Sequence, residues 1–278
     1  MFSSLLIALR EGLEAVVLVG IIITFLVRTG RSHAVRDVWI GVAAALAVSG
    51  ALGLSVALGA ASFSDRAQEM FEGVASVVAA VVLTWMILWM RRQATSIRSA
   101  LEARADLAVT SGSKIALAML AFTAVAREGL ETVLFLYAAF RQSGSAVASG
   151  MGAVLGLGIA LGLGLAIYRG GQRMNLGLFF KATGAMLIVV AAGLLATAVH
   201  EFNEAGHLIA LSGRAWDTGA LISSEGVLGS VLRGLIGYRS APTVLEAIIY
   251  WAYLIPILTA FFGLPAIKRS VLTGAEPA

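Results

Sequence analysis

Leu9-Arg10-Glu11-Gly12-Leu13-Glu14 lies within the first apolar stretch of the chain, and Ala126-Arg127-Glu128-Gly129-Leu130-Glu131 within the fourth. The five-residue core Arg-Glu-Gly-Leu-Glu is identical in both copies, and the copies are 117 residues apart. Each places three charges inside a run long enough to cross the roughly 30 Å of hydrocarbon in a bilayer.

The surrounding composition fits that reading. Of 278 residues, 59% are hydrophobic and 13% charged, about half the roughly 25% charge of soluble domains. Seven apolar spans follow from the runs, at about 3–27, 38–60, 67–90, 114–140, 148–168, 178–200 and 245–263. The expected fold is therefore all-α, a single membrane domain over 1–278. The net charge of +4 resides in short connections, where arginines orient a membrane protein and give no reason to invoke nucleic acid. There is no cysteine, which excludes disulfides and thiolate metal sites. The N-terminal run lacks a basic leader and is interrupted by Arg10, Glu11 and Glu14, so it reads as an uncleaved span.

Orientation follows from Lys and Arg. With the N-terminus outside, thirteen of the 20 fall in inner segments and five outside, while Arg10 and Arg127 lie in spans. That split predicts an outer N-terminus and an inner C-terminus. The 91–113 connection reads as a charged, amphipathic inner loop. The outer segment 201–244 contains the semi-polar stretch Leu228–Ile236, which reads as a surface helix.

Spans 1–3 and 4–6 look like a duplicated unit, with repeat 1 over 1–92 and repeat 2 over 112–200. Each unit opens with the motif span and continues with a Gly-rich one. Three spans per unit insert the second copy upside down, the inverted-repeat plan that places a substrate site near the repeat interface. Gly152, Gly156, Gly158, Gly162 and Gly164 suit close helix packing. Lys181 reads as snorkelling to the inner interface.

Within each motif, glutamates three apart share a helical face and the arginine meets the second glutamate four residues on. Six intramembrane charges cost about 15–20 kcal/mol before pairing, at ~2.5–3.5 kcal/mol each, unless they face one another and a wet cavity. Glu11, Glu14, Glu128 and Glu131 against Arg10 and Arg127 leave −2, which a divalent or trivalent cation offsets. Carboxylate oxygens are hard ligands for Mg²⁺, Ca²⁺, Mn²⁺ or Fe³⁺. The bland reading, structural ion pairs, is weakened by duplication at matched depth.

Further acidic groups fall at the outer side. Glu69 and Glu72 open span 3 on one face; they read either as helix-start acids or as ligands. His200, Glu204 and His207 share one stripe at the end of span 6, beside Glu201. Glu204 and His207 have a Glu-x-x-His spacing, but a di-iron enzyme needs a second such pair, and none exists. An ion-recruiting vestibule or a solvated helix end remain. Glu246 reads as a plain helix-start acid, and His33 as a surface residue.

The duplicated motif resembles the signature of the oxidase-dependent iron permeases, with their fungal high-affinity and bacterial EfeU-type branches. Gln68-Glu69-Met70-Phe71-Glu72-Gly73, Leu83-Thr84-Trp85-Met86, Asn175-Leu176-Gly177, Glu204-Ala205-Gly206 and Gly237-Tyr238-Arg239-Ser240-Ala241-Pro242 look like the bacterial branch and cover nearly the whole chain. The resemblance implies a multi-pass permease of the bacterial inner membrane that imports iron ions, Fe³⁺ or Fe²⁺, as substrate, with no prosthetic group. It implies ligand roles for Glu11, Glu14, Glu128 and Glu131, and extends them to Glu69 and Glu72. It also implies a periplasmic iron-binding protein and a haem peroxidase or other oxidase as partners. His200, Glu201 and His207 belong to none of these motifs. The alternatives are a permease for another divalent cation (manganese or magnesium) and a membrane iron sensor.

Overall fold

The computed structural model of the chain describes residues 1–60, 64–93, 97–110, 113–143, 146–170, 176–206, 211, 213–222 and 226–263. Among these the regular elements are helical. They are α1 (Phe2–Arg28), α2 (Val35–Ala60), α3 (Asp65–Gln93), α4 (Ile97–Thr110), α5 (Lys114–Ser143), α6 (Ala146–Gly170), α7 (Leu176–Glu204), α8 (Val227–Ile236) and α9 (Val244–Gly263). Five of them, α2, α3, α6, α7 and α9, are long and apolar enough to cross a membrane. The motif helices α1 and α5 have 27 and 30 residues, but their charges set them apart from a uniformly apolar span.

Small residues decide how the helices meet. Gly41, Ala45, Ser49 and Gly53 recur every fourth residue on α2, and Gly152, Gly156, Ala160 and Gly164 do so on α6. A side chain at Gly41 would collide with the backbone of Ala118, and Gly53 faces Val133, both on α5. Gly152 and Gly156 lie against the α1 backbone at Met1 and Leu5, and Gly164 against Val16. Residue numbers rise together along both pairs, so α2 runs parallel to α5 and α6 parallel to α1. Such stripes let backbones approach where lipid offers no hydrophobic drive to association. Gly158 and Gly162 have open space around them; the packing stripe therefore excludes these two glycines, which the composition of span 5 had grouped with it.

The third helices pair with each other. Gly73 of α3 meets Phe202 of α7 near one end, and Gly184 of α7 meets Ile87 of α3 near the other, so the two run antiparallel. The helix α9 packs on α7 and is tied to α3 by a 2.6 Å hydrogen bond between Tyr253 and Thr84 hydroxyls. Lys181 places its ammonium 5.5 Å from the Phe262 ring centroid, a cation–π contact.

Two apolar clusters result. One gathers Leu6 and Ile7 of α1 with Leu83 and Met86 of α3, Phe135 of α5 and Leu187 to Leu194 of α7. The other gathers Val19, Ile22 and Leu26 of α1 with Val38 and Val42 of α2, Leu101, Ala105 and Ala108 of α4, and Leu117 and Ala121 of α5. Within the connection expected as an amphipathic loop over 91–113, Ile97–Thr110 form the helix α4. Its residues Leu101, Ala105 and Ala108 recur at i, i+4 and i+7, and α4 buries that stripe against α1 and α5. Arg31 ties its rim through a 2.8 Å ion pair with Asp106. The motifs lie between the two clusters.

The surface helix expected around Leu228–Ile236 is α8, which packs on α1, α5 and α7. It ends at Gly237 with φ +68, a left-handed cap in which the Gly237 and Tyr238 N–H groups donate to the carbonyls of Arg233 and Leu232.

Candidate functional site

The antiparallel crossing of α1 and α5 brings the two motifs together. Gly12 lets α1 close on Leu157 and Ala160 of α6, and Gly129 lets α5 close on Ser49 of α2. With each motif glycine turned to its parallel partner, the charged flank of each motif helix faces the α1–α5 seam. There Glu11, Glu128 and Glu131 each present a carboxylate oxygen, all within 4.8 Å of one another. One oxygen of each of these three residues is buried and, among the described residues, without a hydrogen-bond partner.

The two arginines are not equivalent. Arg10 is 2% exposed. It reaches Glu11 at 3.3 Å and Glu14 at 3.1 Å, and its other flank rests on the sulfurs of Met86 at 3.5 Å and Met90 at 3.2 Å. Arg127 has a side chain 40% exposed, bonds Glu131 at 2.9 Å and lies 5.1 Å from the Trp89 ring centroid. One turn of α3, Met86 to Met90, therefore supports both guanidinium groups. Glu14 stands outside the three-carboxylate cluster as the counter-ion of Arg10. The soft thioethers and the aromatic face carry no warning in the sequence, since Met and Trp at helical spacing read as core.

Three carboxylates this close repel one another, and their unsatisfied oxygens are costly in a dry interior. A hard cation bound among them removes both penalties. Two ligands from α5 and one from α1 make such a site sensitive to relative movement of the two helices.

A second acidic group lies where the N-terminal end of α3 meets the C-terminal end of α7. A cavity of about 560 Å³ is lined by Asp65, Glu69, Glu72, Glu201 and Glu204, by His200, and by Arg233 and Arg239. The expected vestibule residues thus converge, except His207, which lies outside the described residues. His200 binds Glu204 at 3.1 Å through Nε2 and Glu246 at 3.2 Å through Nδ1. Glu246 is not the plain helix-start acid its position implies. It is 2% exposed and also lies 3.9 Å from Arg239. Burial lowers the Arg239 guanidinium from its ordinary value, opposed chiefly by Glu246 and Glu201. No site role of their own follows from the sequence for Arg233 and Arg239, because the cavity they line is formed by distant segments.

Comparison with known proteins identifies the family. The Iron permease FTR1 family matches residues 1–272. The chain is 43% identical over 263 residues to the ferrous iron permease EfeU of Escherichia coli O6:H1, covering 94% of this chain and 95% of the relative. It is also 43% identical over 264 residues to the ferrous iron permease EfeU of Yersinia pestis, covering 94% and 93%. No solved structure matches the chain. Its apolar helices are those of a multi-pass membrane protein, and the chain belongs to the Iron permease FTR1 family, a family of transporters rather than enzymes.

Proposed function

We propose that this chain imports iron across the bacterial inner membrane, taking the ion through the carboxylates that its two motifs bring together. The observation that carries the reading is the cluster of Glu11, Glu128 and Glu131, drawn from two antiparallel helices and lying between two apolar layers. Glu14 and Arg10 form a fixed pair beside it, and Arg127 tunes its charge. Glu69, Glu72, Glu201, Glu204 and His200, with His207, collect the cation at the outer face.

In this reading α1 and α5 also cross the bilayer, giving seven spans with the N-terminus outside and the C-terminus inside. Spans α1–α3 and α5–α7 form two inverted repeats. The exchange of partners, α2 on α5 and α6 on α1, with third helix on third helix, supports that symmetry. Rocking of one repeat against the other alternates access to the site between them. A periplasmic iron-binding protein and a haem peroxidase or other oxidase supply the ion.

The test is iron uptake by cells that lack other iron importers and express this chain. Uptake should require it and resist a tenfold excess of manganese or magnesium. Equal competition by either metal would instead favour a general divalent-cation permease. Iron binding without uptake would favour a sensor.

A further inference from the structure

Between the vestibule and the motif cluster the two stations are linked by a face of α3. Glu72, Ser76, Leu83, Met86 and Met90 fall on one side at helical spacing, and Met86 and Met90 set that side against Arg10. Fourteen residues separate Glu72 from Met86, about 21 Å along the helix. On α1, Ser3 and Ser4 lie seven residues before Arg10 and Glu11 and hence on the stripes that lead to the motif. Since α1, α2 and α3 alternate in direction, α1 and α3 run the same way. Ser76 lies one turn inward of Glu72, and Ser3 and Ser4 lie two turns outward of the motif.

These three serines share a buried, unpartnered state, which Ser49 at the α2–α5 contact also has. Ser3 and Ser4 are fully buried and Ser76 is 1% exposed. Among the described residues, no group accepts from or donates to their hydroxyls. Several other hydroxyls in the long helices fold back on the preceding turn: Ser55 onto the Ala51 carbonyl at 2.8 Å, Thr132 onto Glu128 at 2.6 Å and Thr183 onto Phe179 at 2.9 Å. Ser3 and Ser4 begin α1 and have no carbonyl four residues back within the helix. Ser76 has one and does not use it. The core cluster that α1 and α3 share along this stretch, with Ile7, Ala79, Ala80 and Leu83, is apolar, so oxygen ligands for a bare ion are scarce there.

We infer that Ser76, Ser3 and Ser4 line the route from the vestibule to the paired motifs, their hydroxyl oxygens replacing part of the hydration shell of the passing cation. The inference rests on the reading of the chain as an iron importer. A neutral hydroxyl is a hard oxygen ligand that binds far less firmly than a carboxylate. It suits a transit position between two acidic stations, where an ion must enter and also leave.

The chain contains no cysteine, so single Ser76→Cys, Ser3→Cys and Ser4→Cys variants of the full-length protein give unambiguous reporters. A small, membrane-impermeant cationic thiosulfonate applied from outside should modify Ser76→Cys and Ser4→Cys and lower iron uptake by about tenfold. Excess ferrous iron should slow that modification. Gly158→Cys, with open space beside it on α6, should stay unmodified. A Ser4→Ala/Ser76→Ala variant should carry iron several-fold more slowly, with normal expression and thermal stability. Unreactive cysteines at Ser76 and Ser4, or modification that leaves uptake intact, would overturn the inference while the importer reading stands. Absence of iron uptake by the cysteine-free protein itself would count against the importer reading instead.

Discussion

Gly129 and Ser49 share a space that holds one side chain, not two. A Cβ built on Gly129 falls on the Ser49 hydroxyl, and this contact sets how deeply the second motif enters the interface between α2 and α5. Adding a methyl group there forces α5 outward or Ser49 off its rotamer, at about 1–3 kcal/mol. Gly129→Ala should therefore lower the melting temperature in detergent and slow iron uptake. Gly129→Ala/Ser49→Gly should recover part of both losses. Gly158→Ala, on the open side of α6, should change neither.

The unequal burial of the two arginines predicts unequal damage. Removing Arg10 leaves Glu11 and Glu14 buried without their counter-ion, so Arg10→Ala should destabilise the fold by about 3–5 kcal/mol. Arg127 is partly exposed and holds one carboxylate, and Arg127→Ala should cost under about 1 kcal/mol. Chemical denaturation of the purified variants compares the two. Equal losses would contradict the asymmetry.

Vestibule and motif acids should fail in different ways. Glu201→Gln and Glu204→Gln weaken ion collection, so apparent KM for iron should rise several-fold while the maximal rate changes little. Added inert salt should reduce uptake at low iron, because screening acts on the open vestibule. Uptake kinetics at two ionic strengths check both expectations.

The seat of α4 should matter more than its rim. Leu101 is buried between α1 and α5, and Leu101→Ala should destabilise by about 2–5 kcal/mol. Asp106→Asn removes only an exposed ion pair with Arg31, worth about 0–1 kcal/mol. Thermal unfolding of the two variants measures the contrast.

Much of this architecture was legible because membranes restrict what a chain can do. Apolar runs located the long helices to within a few residues, since an unpaired backbone cannot face lipid. The duplicated motif pointed to Glu11, Glu14, Glu128 and Glu131 together, because a charge inside a span must face a partner or a substrate; the structure gathers Glu11, Glu128 and Glu131 and leaves Glu14 on Arg10. Partner choice between helices was less visible. The small-residue stripe of α6 drifts among five glycines, and only its four-residue period, completed by Ala160, separates the packed side from the open one. The vestibule was half legible. Its acids stood at helix ends, whereas Arg233, Arg239 and the buried state of Glu246 depend on how 226–243 folds back, which local pattern does not encode. The support given to Arg10 and Arg127 by Met86, Trp89 and Met90 was hidden in residues that are ordinary in any apolar helix.

The central claim is that iron crosses through the carboxylates shared by the two motifs. Its most direct test is uptake of ferrous iron into vesicles reconstituted with the purified chain, with Glu11→Gln, Glu128→Gln and Glu131→Gln in parallel. Wild-type vesicles should accumulate iron well above protein-free vesicles, and each variant, folded to the same extent, should lose about tenfold or more of that rate. Variants that reconstitute normally and still carry iron at near wild-type rates would contradict the account.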